Sequence, residues 1–288
     1  MVMLFSFFAT LLLSFVSVAQ ANVQPSSQIN SQTTSSQPAL TVDVTPAALV
    51  QLQYPQAVRL DQVMSDGLLH HQQALQASSH RPYAPYSLAN KLFDNHKQAQ
   101  TDRLYHQVID QLALLARYEI IDKNKTITAN SKRQMAGIII EQLKAHRYGY
   151  RELISLDFDL IRLDEQHNPQ LQGSYELQLA QRPTQIQVYG NVHQVAKIDF
   201  VASRSITDYL ALVSPLEAPG NNSNVWLIFP DGNIEKSGYA YWNDQHATLA
   251  PGTMIFWGFN RDWFANPADI DLDELESNIA TLLTMVRG

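Results

Sequence analysis

Asn224-Val225-Trp226-Leu227-Ile228-Phe229-Pro230-Asp231-Gly232-Asn233-Ile234-Glu235-Lys236-Ser237-Gly238 is the stretch on which the fold turns. Its apolar runs, Asn224 to Phe229 and Ile234 to Gly238, flank Pro230-Asp231-Gly232, where proline pre-sets one turn dihedral and glycine supplies another, so the segment reads as a β-hairpin. Upstream, Ser205 to Val213 is helical, with Ser205 as N-cap and Asp208 three residues on. Downstream, Pro251-Gly252 launches a strand from Thr253 to Trp257. Before the helix, Ile186 to Tyr189 and Val195 to Phe200 are short strands bounded by Arg182-Pro183 and Gly190-Asn191. One helix crossing a small mixed sheet follows.

The same plan recurs nearer the N-terminus. Ala39 to Val44 alternates as a strand does, Val58 to Met64 reads as a short helix before Asp66-Gly67, and Phe158 to Leu163 and Tyr175 to Leu179 read as strands around Asn168-Pro169 and Gly173. Between Pro85 and Tyr148 the apolar spacing becomes helical: Leu88 with Leu92, then Leu104, Val108, Leu112 and Leu115, then Met135, Ile138, Ile139 and Leu143, with Ser131 and Gln134 as a capping box. The expectation is an α+β protein of two similar modules, the first (39–181) carrying a helical insertion at about 86–148 and the second spanning 182–264.

The ends differ in character. Leu4 to Val18 is almost wholly apolar and is followed by Ala19-Gln20-Ala21, the form of a signal-peptidase site, so residues 1–21 read as a signal peptide, with an uncleaved membrane anchor as the alternative. Residues 22–38, rich in Ser and Gln, hold too little apolar surface to fold and read as a disordered linker. In the C-terminal segment 266–288, Leu272, Leu275, Ile279, Leu282 and Val286 line one face of an amphipathic helix, with Asp269, Asp271, Asp273 and Glu274 in its first turns and Arg287 in its last. That stripe either packs on its own domain or docks on a partner. The Asn266-Pro267 break ahead of it favours docking.

The 288 residues, 45% of them apolar, suffice for one large or two small cores. A net charge of -7 argues against a nucleic-acid partner. With no cysteine, disulfides, iron–sulfur clusters, thiolate zinc and cysteine nucleophiles are excluded. There is no nucleophile elbow, phosphate loop, dinucleotide fingerprint or H-E-x-x-H, and His70-His71 would point to different sides of any element, so neither metal nor cofactor is expected. Asp157, Asp159, Asp164 and Glu165 could furnish a glycosidase pair but read better as solvated loop charges. Aromatic and amide groups crowd the later segment: Tyr239, Tyr241, Trp242, Asn243 and His246, then Phe256, Trp257, Phe259, Arg261, Trp263 and Phe264. Exposed members would suit a saccharide or a protein partner; otherwise the rings are core.

Ser155-Leu156-Asp157-Phe158-Asp159-Leu160-Ile161-Arg162-Leu163, then Gly173-Ser174-Tyr175-Glu176-Leu177, Trp226 to Gly232, Ala240-Tyr241-Trp242-Asn243 and Pro251-Gly252 together resemble the GfcC-like capsule biosynthesis proteins of Gram-negative bacteria, in order and spacing over roughly residues 40 to 288. The resemblance implies two tandem ubiquitin-like β-grasp domains related to those of Wza-type polysaccharide exporters, a helical insertion in the first and an amphipathic C-terminal helix. It implies a periplasmic, non-enzymatic accessory role in capsule or exopolysaccharide assembly, with the polysaccharide chain and the outer-membrane export machinery as partners. A polysaccharide-modifying hydrolase or transferase is the alternative. A pocket-lining arginine of the family falls on Arg151, in Gly149-Tyr150-Arg151; the alternative there is a surface salt bridge. Arg151, Tyr241, Trp242, Asn243 and His246 are therefore the candidate saccharide- or partner-binding residues.

Overall fold

The computed structural model describes residues 38–78, 83–117, 126–216, 221, 223–243, 245–260 and 270–288, with side chains of the third helix described from residue 132 onward. The expected signal peptide, nearly all of the linker, and the segment holding Arg261, Trp263, Phe264 and Asn266-Pro267 lie outside the described residues.

In the first half, β1 (Leu40–Thr45) and β2 (Val50–Tyr54) form an antiparallel hairpin, and β3 (Val58–Arg59) leads directly into α1 (Leu60–Ala77). Next come β4 (Lys91–Asp94), the helical pair α2 (Gln98–Arg117) and α3 (Thr126–Lys144), α4 (Phe158–Leu163), β5 (Gln170–Leu171) and β6 (Gly173–Gln178). The sheet order is β2-β1-β6-β4, with β6 parallel to β1 and Val42 opposite Tyr175; β3 and β5 form a separate small ladder. Leu40, Val42 and Val44 of β1 are fully buried while Thr41, Asp43 and Thr45 are only partly covered, the alternation of a sheet with one core face.

The second half repeats the order. β7 (Gln185–Gly190) and β8 (Ala196–Asp199) pair as a hairpin, α5 (Ile206–Leu210) crosses, and β9 (Asn224–Ile228), β10 (Ile234–Gly238) and β11 (Met254–Trp257) complete a sheet of order β10-β9-β11-β7-β8. β11 lies parallel to β7, with Ile255 opposite Val188. The capping box of α5 forms as the sequence indicates, Ser205 accepting from the Asp208 amide and the Asp208 carboxylate accepting from the Ser205 amide. Both faces of this sheet are buried. Val225, Leu227 and Ile255 pack under α5, whereas Ile228 and Phe256 pack beneath α2, α3 and the last helix, α6 (Leu272–Thr284).

Several sequence readings need correction. Phe158 to Leu163 is a helix, because the Asp157 carboxylate accepts from the amides of Asp159 and Leu160 at 3.1 and 3.2 Å and caps it. Ile161 enters the core with Phe158 against it, three residues apart, while Leu163 stands in solvent. The helix expected to end before Asp66-Gly67 runs on to Ala77. Gly67 sits there because α1 rests on β6: a Cβ would lie 2.9 Å from Leu177 Cδ2. Leu88 and Leu92 share no helix, being in a short 3-10 turn and in β4. Ser131 lies inside α3, which starts five residues earlier, so the expected capping box does not begin it. β2 has a single buried residue, Leu52, and escaped notice for that reason.

The expected docking stripe is occupied within the chain. Leu272, Leu275, Ile279 and Leu282 are 8% exposed or less, and Val286 is half-buried and bridged to Tyr148. Ala280 and Leu283 are buried as well, so α6 is covered well beyond one narrow stripe. Asp271 caps α6 by accepting from the amides of Asp273 and Glu274. The apolar outer face of the second sheet requires such a cover, and α6 supplies it together with the helical pair.

Candidate functional site

Arg151 follows the helical pair and extends the edge of the first sheet. It bridges Phe93, while the Asp94 amide donates to the Tyr150 carbonyl at 2.9 Å and the Glu152 amide to the Leu92 carbonyl at 2.8 Å. Its side chain, 6% exposed, turns inward and donates to three backbone carbonyls: Pro230 at 2.7 Å, Thr284 at 3.4 Å and Asn90 at 3.5 Å. One guanidinium thus joins the edge of the first sheet, the hairpin turn of the second and the end of α6. Burial pushes its pKa down to about 10, against the opposing influence of the Asp231 charge. Gly232 belongs to this arrangement. Its φ of +97° suits glycine, and a Cβ there would lie 2.6 Å from Leu153 Cδ2 and 3.3 Å from Arg151 Cζ.

Around Arg151 is a pocket of about 240 Å3 lined in part by Asn90, Leu153, Asp157, Asp231 and Asn233. Its carboxylates hold backbone. Asp157 caps α4, and Asp231 accepts from the Asn233 amide at 3.0 Å and from Asn233 Nδ2 at 2.8 Å. Of the other acids considered for a glycosidase pair, Asp164 accepts from the Gln166 amide and from His167 Nδ1, contacts that hold its carboxyl below the usual range. Glu165 pairs with Arg59 at 2.6 Å.

On the other side of Arg151 runs a groove of about 670 Å3 between the two sheets, whose lining includes Lys91, His146, Tyr189 and Lys197. The Tyr189 hydroxyl lies 3.0 Å from both His146 Nε2 and Gln187 Oε1. Sequence reasoning missed these residues. They come from β4, the turn after α3, β7 and β8, and no spacing along the chain links them.

The remaining candidates do not converge on Arg151. Tyr241 is fully exposed and Trp242 is 71% exposed, on the turn after β10; neither lines the pocket or the groove. Asn243 holds that turn, its Oδ1 accepting from the Ala240 amide at 3.0 Å and its Nδ2 donating to the Ser223 carbonyl at 3.1 Å. His246 is exposed, with φ +48°. Among the described residues no group of three metal-ligating side chains occurs, and no helix is long and apolar enough to cross a membrane. His71 is buried against the edge of Tyr83, with ring centroids 5.1 Å apart.

Fold and site define a two-sheet α+β protein whose halves are joined by a buried arginine. Family comparison identifies the lineage: a model described as capsule biosynthesis GfcC, N-terminal, matches residues 36–182, and one described as capsule biosynthesis GfcC C-terminal matches residues 194–286. The chain belongs to the GfcC family of capsule biosynthesis proteins, and that membership supports a role in capsule assembly. It is also 32% identical over 138 residues to the uncharacterized protein YjbG of Escherichia coli K12, a match covering 48% of this chain and 56% of that relative.

Proposed function

We propose that the chain is an exported, non-enzymatic accessory protein of capsule or exopolysaccharide assembly, built from two tandem β-grasp domains and acting in the periplasm beside the outer-membrane export machinery. The observation that carries the reading is family membership across both halves, 36–182 and 194–286. The β-grasp assignment is supported by the shared strand plan: a first hairpin, a crossing helix, and a final strand inserted parallel to the first. Export is supported by Leu4 to Val18 and Ala19-Gln20-Ala21.

A binding or adaptor role is favoured over hydrolysis by how the polar groups around Arg151 are employed. The guanidinium serves three carbonyls, and Asp157 and Asp231 each hold backbone amides. A general acid needs a carboxyl free to exchange a proton with substrate. Deletion of the gene, followed by quantification of surface and secreted polysaccharide, tests the pathway. Loss or retention of polymer in the cell with restoration by the intact gene is the expected result; unchanged capsule overturns it. Release of reducing ends from capsule polymer by purified protein, lost in Asp157→Asn, would establish the enzyme reading instead.

A further inference from the structure

The groove between the sheets carries charge opposite in sign to that of the chain. Net charge is -7, yet the lining includes the cations Lys91, Arg151, Lys197 and Arg287, with His146 held neutral beside them, and no Asp or Glu side chain; the Gly288 carboxyl group also lines it. Two of these cations are engaged: Arg151 with backbone carbonyls, and Arg287 with Glu176 and, at 2.9 Å, with Asn95 Oδ1. Lys91 and Lys197 form no ion pair with a described residue, although Lys91 Nζ donates to the Val286 carbonyl at 2.8 Å. The cations also oppose one another. Burial and the Arg151 charge push the Lys91 ammonium down to about 8, and burial with the charges of Lys197 and Lys91 pushes His146 down. A bound anion relieves that opposition, and a groove walled by protein focuses its field on one.

The rest of the lining suits a sugar. Thr184, Gln187 and Tyr189 offer hydroxyl and amide groups, Phe229 and Met254 offer apolar surface, and the volume lies within the range of roughly 300–1,000 Å3 usual for small-ligand sites. We propose that this groove binds a negatively charged saccharide, a sugar chain bearing carboxylate or phosphate, whose anionic group is met by the ammonium groups of Lys91 and Lys197. The saccharide half of the proposal rests on the capsule reading; the anionic half stands on the groove.

Calorimetric titration of the purified protein at pH 7 and low salt tests it, using hexagalacturonate against its methyl ester and phosphorylated mannopentaose against mannopentaose. At least one acidic oligosaccharide should bind ten-fold or more tightly than its neutral counterpart, and which of the two does so tells carboxylate from phosphate. Binding should weaken as salt rises, and Lys91→Gln with Lys197→Gln should weaken it ten-fold or more without altering the circular dichroism spectrum. Should the double variant fail to fold, Lys197→Gln alone is the test, because Lys197 is exposed on the edge strand β8. Equal binding of acidic and neutral forms, no binding of either acidic form, or unchanged affinity in a folded variant overturns the proposal. Capsule loss on gene deletion with no acidic saccharide bound overturns this inference alone. Unchanged capsule with acidic binding intact overturns the capsule reading alone.

Discussion

The two sheets share one strand plan and solve burial differently. The first keeps a core of its own: Leu40, Val42 and Val44 of β1 and Leu177 of β6 lie beneath Leu60, Val63 and Met64 of α1, which spans 18 residues. The second has only the five-residue α5 on one face and needs a second cover on the other. That cover is assembled from distant sequence: α2 and α3, which lie between strands of the first sheet, and α6 from the C-terminal end. A sheet apolar on both faces cannot stand uncovered in water, so the insertion of one half becomes part of the core of the other.

Ile279→Asp presses hardest on this contrast. Ile279 is fully buried beneath the second sheet, and an unpaired carboxylate there should lower stability by about 4 kcal/mol. In a chain of this size that is a fall of roughly 10 °C in melting temperature. A melt within a degree or two of wild type would mean that α6 is not part of the core.

The next effects separate the halves. Leu112→Ala in α2 should cost about 3 kcal/mol and change the emission of Trp226, which packs on the same cluster. Leu177→Ala in the first core should cost a similar amount and leave the native Trp226 spectrum unchanged. Identical spectra for the two variants under native conditions would erase the distinction between the cores.

Arg151→Lys removes the planar fork that reaches three carbonyls in three parts of the fold. A loss of about 2 kcal/mol is expected by urea unfolding, with no rescue by the retained charge. Stability equal to wild type would show that charge alone matters at this junction.

The last effect is one of pH, comparable in size to that of Arg151→Lys. Folding holds the Lys91 pKa at about 8 against an ordinary value of 10.5, so between those values the unfolded chain binds more protons and the Lys91 contribution to stability rises with pH. Urea midpoints for wild type relative to Lys91→Met should therefore shift in favour of wild type from pH 8 to pH 10. A constant difference across that range would place Lys91 in ordinary solvent.

What the sequence revealed follows from where its signals are local. The hairpin around Pro230-Asp231-Gly232 and the Ser205–Asp208 capping box are written in adjacent residues and were legible. Phe158 to Leu163 misled because an alternating run fits a strand until Asp157 is seen to cap a helix. Asp66-Gly67 misled because the close approach of α1 to Leu177, which makes glycine necessary, is a tertiary fact. Arg151 was reached through resemblance, whereas Lys91 and Lys197 come together only when β4 and β8 face a common groove. Tyr241 and Trp242 stood out by composition, and their exposed turn keeps them apart from that groove.

Because the chain contains no cysteine, a single engineered thiol reports burial without interference. Ile279→Cys, labelled with a maleimide under native conditions and again in denaturant, asks whether α6 covers the second sheet within the chain. Labelling slowed by two or more orders of magnitude in the native protein, with full reaction on unfolding, is the expected result. Native labelling at the rate of a free peptide thiol would contradict it and return α6 to the role of a partner-docking helix.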